Sequence, residues 1–140
     1  MTKVTMTTEL QVPADAVWKV IGGFNALPDW HPAVEKSEQE GVGVGATRKL
    51  RLVGGGTIIE RLESIDDKEK VYSYSIVDSP LPVANYTATV RVREDGGGKA
   101  TVVEWSGEFN PAGVPEVDAT KAIQGIYQAG LDNLRKMMGG

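Results

Sequence analysis

The chain of 140 residues has no cysteine and only one histidine. Without thiols it forms no disulfide, no thiolate metal site and no cysteine nucleophile, which fits a reducing compartment. A zinc site built on one histidine would need two carboxylates, so neither metal nor cofactor is expected. No serine sits in a strand-to-helix elbow of the kind that carries a Ser-His-Asp triad. No stretch approaches 18 apolar residues, so no membrane span and no stable membrane anchoring are expected. Val4, Met6, Thr8, Leu10 and Val12 alternate with mostly polar residues, unlike the continuous apolar region of a signal peptide. Cytoplasm is the expected location. Fifteen basic and nineteen acidic residues give a net charge of −4 with no long run of either sign. That argues against a nucleic-acid partner and against a polybasic membrane patch.

What is present reads as one domain over residues 1–140. Hydrophobic residues make up 41% and charged residues 24%, and a chain of this size buries roughly 70% of its unfolded surface. The stretch from Pro13 to Pro32 organises the rest. Pro13 and Asp15 suit the first turn of a helix, and Val17, Ile21 and Phe24 follow at helical spacing. Gly22-Gly23 weakens that helix and Leu27-Pro28 is expected to end it. Asp29-Trp30-His31-Pro32 then forms a second short turn carrying a large aromatic residue and the histidine.

Strands are expected over 2–12, 34–40, 47–53, 57–65, 71–77, 85–94 and 101–109, from their alternation of apolar and polar residues. Gly41–Gly45, Gly54–Gly56 and Asp95–Gly98 read as turns between them. Two prolines make 78–82 a rigid connection, since proline is excluded from central strands. A helix of roughly 22 residues, about 33 Å long, closes the chain from Pro115. Its apolar stripe runs through Val117, Ile123, Ile126, Tyr127, Leu131, Leu134 and Met137 or Met138. Gly130 falls on that stripe, where a missing side chain lets another element come close. The fold class is α+β: a seven-stranded antiparallel sheet, curved so that a cavity remains between it and the long helix.

Several motifs recur in order along the chain: Asp15-Ala-Val-Trp18, Trp30-His31-Pro32, Gly45-x-x-Arg48, Glu60-Arg-Leu62, Tyr72 with Tyr74, Pro80-Leu-Pro-Val83, Asn85-Tyr86 and Trp105. Together they make the chain resemble the bacterial polyketide cyclase/dehydrase and lipid-transport group of the START and birch-pollen-allergen-like (SRPBCC) superfamily. The resemblance covers residues 3 to 138. It implies a helix-grip fold, with two short helices after the first strand, and a hydrophobic cavity between the sheet and the C-terminal helix. It also implies functions that range over carriers, ligand-gated regulators, cyclases and dehydratases.

Arg48 and Glu60 flank the Gly54–Gly56 turn and fall within cross-strand reach of each other. Each shares parity with leucines (Leu50 and Leu52; Leu62), and a charge on an apolar face must be paired or do something. They read as a cavity-lining pair that binds a carboxylate, enolate or phenolate, or as a structural salt bridge. His31 is the default acid–base, or else caps the turn. Tyr72, Tyr74, Tyr86 and Trp105 are the aromatic set, of which two or more are expected to face the pocket. Trp30 joins them as a ligand contact, and Tyr127 closes the cavity from the helix or packs in the core. Gly41–Gly45 precedes a strand and is no dinucleotide fingerprint. The functional expectation is a binder of a small hydrophobic or aromatic molecule of polyketide, lipid or hormone type, monomeric or homodimeric. The alternative is a cofactor-free cyclase or dehydratase, with Glu60 or His31 as base and Arg48 or a tyrosine steadying an enolate.

Overall fold

A computed structural model describes residues 1–95, 97 and 99–139. Its elements are β1 (Thr2–Leu10), α1 (Ala14–Ile21), α2 (Leu27–Trp30), β2 (Val34–Glu40), β3 (Thr47–Leu52), β4 (Thr57–Asp66), β5 (Val71–Asp78), β6 (Val83–Asp95), β7 (Ala100–Pro111) and α3 (Glu116–Met138). The seven strands form one sheet in the order β1-β7-β6-β5-β4-β3-β2, and every neighbouring pair is antiparallel. This is the helix-grip arrangement: a curved antiparallel sheet, a long C-terminal helix and two short helices after the first strand.

The alternation predicted from sequence decides which side of the sheet is buried. Leu50 on β3, Ile58 and Leu62 on β4, Tyr72 and Tyr74 on β5, and Tyr86, Ala88 and Val90 on β6 all turn inward. Val103, Trp105 and Phe109 do the same on β7. Helix α3 lays Ala119, Ile123, Tyr127, Gly130, Leu131 and Leu134 against them. Val117, expected on the stripe, is 58% exposed: it lies two residues from the fully buried Ala119, about 200° around the helix, and so points away from the core.

The corner after β1 differs from the sequence reading. The glycine pair ends α1 rather than merely weakening it, with Gly22 as its C-cap. Leu27-Pro28 starts the second helix instead of stopping the first. Proline is tolerated in a first turn because its missing N–H would have no partner there, and Pro28 occupies that turn of α2. The strand expected over 85–94 begins two residues earlier, at Val83, directly after Pro82, while the connection expected over 78–82 runs over 79–82. Gly54, Gly55 and Gly56 all have positive φ, as the tight β3–β4 turn requires. The turn expected at Asp95–Gly98 lies partly outside the described residues.

Candidate functional site

A cavity of about 200 Å³ lies between the sheet and α3. Leu50, Ile58 and Ile76 line it from the sheet, Leu27 and Val34 from the corner around α2, and Ile126 from α3. Leu81 approaches from the connection before β6. Ala33, Val53 and Gly55 line it as well and are exposed, so the mouth opens between the β3–β4 turn and the segment after α2. The polar contributions to the wall come from Glu60, His31, Tyr74, Tyr86 and Trp105.

Arg48 and Glu60 are directly opposite each other on β3 and β4. Arg48 Nε donates to Glu60 Oε1 over 2.8 Å, and Nη2 lies 2.7 Å from the same oxygen without the alignment for a second hydrogen bond. Nη1 donates to the Phe24 carbonyl, which the corner after α1 brings down onto the sheet. The guanidinium carbon sits 4.2 Å from the Phe24 ring centre, 5.0 Å from that of Tyr74 and 5.9 Å from that of Tyr72, close enough for cation–π attraction. Arg48 is 1% exposed and does not reach the cavity. The pair is therefore layered: arginine behind, carboxylate in front. Both contacts use Oε1, and Oε2 has no hydrogen-bond partner among the described residues although Glu60 lines the cavity. Burial pushes the Glu60 carboxyl up, against the pull of Arg48. Burial is the largest effect on Arg48 and works against its charge, but the facing carboxylate together with Tyr72 and Tyr74 outweighs it and the pKa rises. Protonating Glu60 would leave a buried guanidinium uncompensated, so the ion pair persists at neutral pH.

The aromatic residues form a connected floor. Trp105 Nε1 donates to the Tyr74 hydroxyl at 3.0 Å, and the hydroxyls of Tyr74 and Tyr86 are 3.3 Å apart. The Tyr86 hydroxyl in turn meets that of Tyr127. Burial holds the pKa of Tyr74 and Tyr86 well above the ordinary phenol value, so both stay neutral. Tyr127 stacks on Trp105 with centroids 4.4 Å apart. Three of the four expected aromatics, Tyr74, Tyr86 and Trp105, face the cavity. Tyr72, Trp30 and Tyr127 do not: each is almost fully buried in the layer behind. Tyr72 packs under Phe24, Trp30 against Trp105, and Tyr127 fills the core beneath α3.

His31 lines the cavity with both ring nitrogens already engaged. Nδ1 accepts the Ala33 N–H at 3.1 Å, so the proton is on Nε2, which donates to the Ile126 carbonyl of α3 at 2.7 Å. The ring reaches that carbonyl only because residue 130 is glycine: a Cβ there would sit 2.7 Å from His31 Cδ2 and 3.0 Å from Trp105 Cζ3. His31 thus ties α2 to α3 as a neutral strut. Burial lowers its pKa from 6.5, against the smaller opposing effect of the Ile126 carbonyl. Above pH 6.5 both native and unfolded chains carry it neutral. As the pH falls through 6.5, the unfolded chain takes up a proton that the native state resists, and stability drops with a slope of at most about 1.4 kcal/mol per pH unit. Urea midpoints at pH 7.5 and 5.5 should therefore differ more for the wild type than for His31→Gln. Equal differences would remove the strut.

No group of three or more His, Asp or Glu side chains placed to hold a metal occurs among the described residues. No helix among them is long and apolar enough to cross a membrane. Sequence reasoning missed the apolar wall at Ala33 and Leu81, which lie in connections with no periodicity to read. Ile76 was legible from its parity with Tyr72 and Tyr74.

Comparison with known proteins agrees with this geometry. The solved structure of the protein XoxI from Bacillus cereus superposes with a TM-score of 0.94 at 41% identity, covering 99% of this chain and 96% of that one. An uncharacterized protein from Bacillus thuringiensis gives 0.93 at 41% identity, with 98% of each chain covered. The abscisic acid receptor PYL6 of Arabidopsis thaliana is 28% identical over 140 residues, 92% of this chain and 65% of the receptor. The present chain thus spans just under two thirds of that receptor's length. The MLP-like protein 423 of the same plant is 30% identical over 127 residues, 83% of this chain and 80% of that protein. The family described as polyketide cyclase / dehydrase and lipid transport matches residues 1–139, and the chain belongs to that family.

Proposed function

We propose that this chain binds a small hydrophobic or aromatic molecule in the cavity between sheet and α3, with its polar end at Glu60. The observation that carries this reading is a largely apolar cavity with an open mouth and one carboxylate oxygen left without a hydrogen-bond partner among the described residues. The volume, about 200 Å³, is somewhat larger than the ~150 Å³ of an engineered apolar cavity that takes up benzene. One or two rings would be buried, and a longer tail would leave by the mouth. The likeness to an abscisic acid receptor supports a small-molecule ligand in this fold.

Native mass spectrometry of the purified protein, followed by denaturation, tests the reading directly. A small molecule should be released by the wild type and be absent from Ala33→Trp, which places a large side chain at the mouth. Retention of the same molecule by Ala33→Trp would put it elsewhere and overturn the reading.

A second reading, catalysis in the same cavity, rests on one feature. The free oxygen of Glu60 is placed to take a proton, whereas both nitrogens of His31 are occupied. Under that reading Glu60→Gln abolishes turnover of the identified ligand and changes affinity by no more than about tenfold, roughly 1.4 kcal/mol. In a carrier, affinity alone changes.

A further inference from the structure

We propose that the cavity selects an uncharged ligand that presents a hydrogen-bond donor, an alcohol or a phenol, to Glu60 Oε2, and discriminates against carboxylic acids. This rests on the binding function proposed above and adds the chemical class.

The cavity wall sets both the charge and the hydrogen-bonding polarity that a guest meets. Glu60 is the single ionised side chain on the cavity wall among the described residues. The cation that balances it is sealed off: among the described residues Arg48 has Glu60, the Phe24 carbonyl and the Tyr72 hydroxyl as polar partners and lies against the rings of Phe24, Tyr72 and Tyr74. A guest therefore meets the carboxylate and not the guanidinium. An ionised carboxylate is acceptor-only, so Oε2 asks the guest for a donor.

The remaining polar groups do not favour an anion either. His31 is neutral, with Nδ1 accepting from Ala33 and Nε2 donating to Ile126. Trp105 Nε1 already donates to Tyr74. In the line Tyr74–Tyr86–Tyr127 two hydroxyl–hydroxyl contacts use two of the three hydroxyl hydrogens, leaving one. Where that hydrogen falls on Tyr74 or Tyr86, which face the cavity, it matches a carbonyl or ether on a neutral guest. It does not compensate the desolvation of an anion that also faces Glu60.

The substitution Glu60→Gln inverts this pattern. The guanidinium offers only donors, so the glutamine must turn its oxygen toward Arg48 and its amide nitrogen into the cavity. The wall then presents a donor where it had an acceptor, with an unbalanced cation behind it.

The test is a titration of three matched probes, 2-naphthol, 2-methoxynaphthalene and 2-naphthoate, into wild type and Glu60→Gln at pH 7.5, followed by amide chemical shifts. In the wild type 2-naphthol should bind at least tenfold tighter than the methoxy compound, which lacks the donor, and 2-naphthoate weakest of the three. In Glu60→Gln the advantage of the naphthol should vanish and 2-naphthoate should bind at least tenfold tighter than it does to the wild type. Wild-type binding of naphthoate equal to that of naphthol would overturn the selectivity and leave the binding function standing. So would a naphthoate affinity indifferent to Glu60→Gln, because the penalty would then come from the anion alone. If the methoxy compound and the naphthol both fail to bind the wild type at millimolar concentration, the binding function falls, and the selectivity with it. Should Glu60→Gln not fold, the wild-type ranking of the three probes decides.

Discussion

Arg48→Met is expected to lower the unfolding free energy by about 3–5 kcal/mol at neutral pH, because it leaves Glu60 as an uncompensated buried carboxylate. Glu60 is 5% exposed, and among the described residues both of its polar contacts are with Arg48. The loss should grow with pH. Without the guanidinium, burial alone acts on the carboxyl and raises its native pKa further above the unfolded value. A group raised in this way costs nothing while both states are protonated and becomes destabilising as the pH climbs from its unfolded pKa toward its native one. The damage at pH 8 should therefore exceed that at pH 4.5. Arg48→Met combined with Glu60→Leu should recover most of the loss, since apolar replacement of a whole buried pair is often neutral or stabilising. A deficit of about 1 kcal/mol should remain, because the Phe24 carbonyl loses the donor it has in Nη1. Urea unfolding followed by the fluorescence of the three tryptophans measures the wild type and both variants. A single variant as stable as the wild type would mean that the carboxyl is solvated through the cavity and that the pair holds nothing together.

How the site could be read from sequence follows from which of its relations are local. The pairing of Arg48 with Glu60 was legible, because a three-glycine turn fixes the register on both sides and parity with Leu50 and Leu62 fixes the face. The inward direction of Tyr74, Tyr86 and Trp105 followed from the same two-residue period, and the need for glycine at 130 from its place on the apolar stripe of α3. The layering of the pair was not legible. It depends on the Phe24 carbonyl, delivered by a corner 24 residues upstream, which draws the guanidinium away from the cavity and leaves the carboxylate in front. The occupation of His31 was hidden for the same reason, its second partner being a carbonyl 95 residues away. Trp30 and Tyr127 carried ring size but no direction, and rings of that size fill a core as readily as they line a pocket. The corner itself was misread at Leu27-Pro28, where one dipeptide serves as a stop for the helix before it or as a first turn for the helix after it.

Gly107→Ala should destabilise the protein by about 3 kcal/mol, at the upper end of what overpacking costs, and Tyr127→Phe should rescue it. Gly107 lies in β7 between Val4 of β1 and Ala88 of β6. Its φ is not in the positive region, so alanine brings no backbone strain. The conflict is one of space alone. A Cβ at 107 would land on the hydroxyl oxygen of Tyr127, while standing 3.4 Å from Tyr127 Cζ and from Tyr86 Cε2. Tyr127 has nowhere to move: it is fully buried, stacked on Trp105, and bonded through that hydroxyl to Tyr86. Tyr127→Phe alone removes one buried hydrogen bond and should cost about 1 kcal/mol. It also removes the one atom that a methyl group at position 107 cannot accommodate. The double variant should therefore be no less stable than Tyr127→Phe to within about 0.5 kcal/mol, an interaction energy of about 2–3 kcal/mol between the two sites. Additive losses would show that the Tyr127 hydroxyl does not sit over Gly107. The hydroxyl line under the cavity would then end at Tyr86, with its spare hydrogen on a residue that faces the guest.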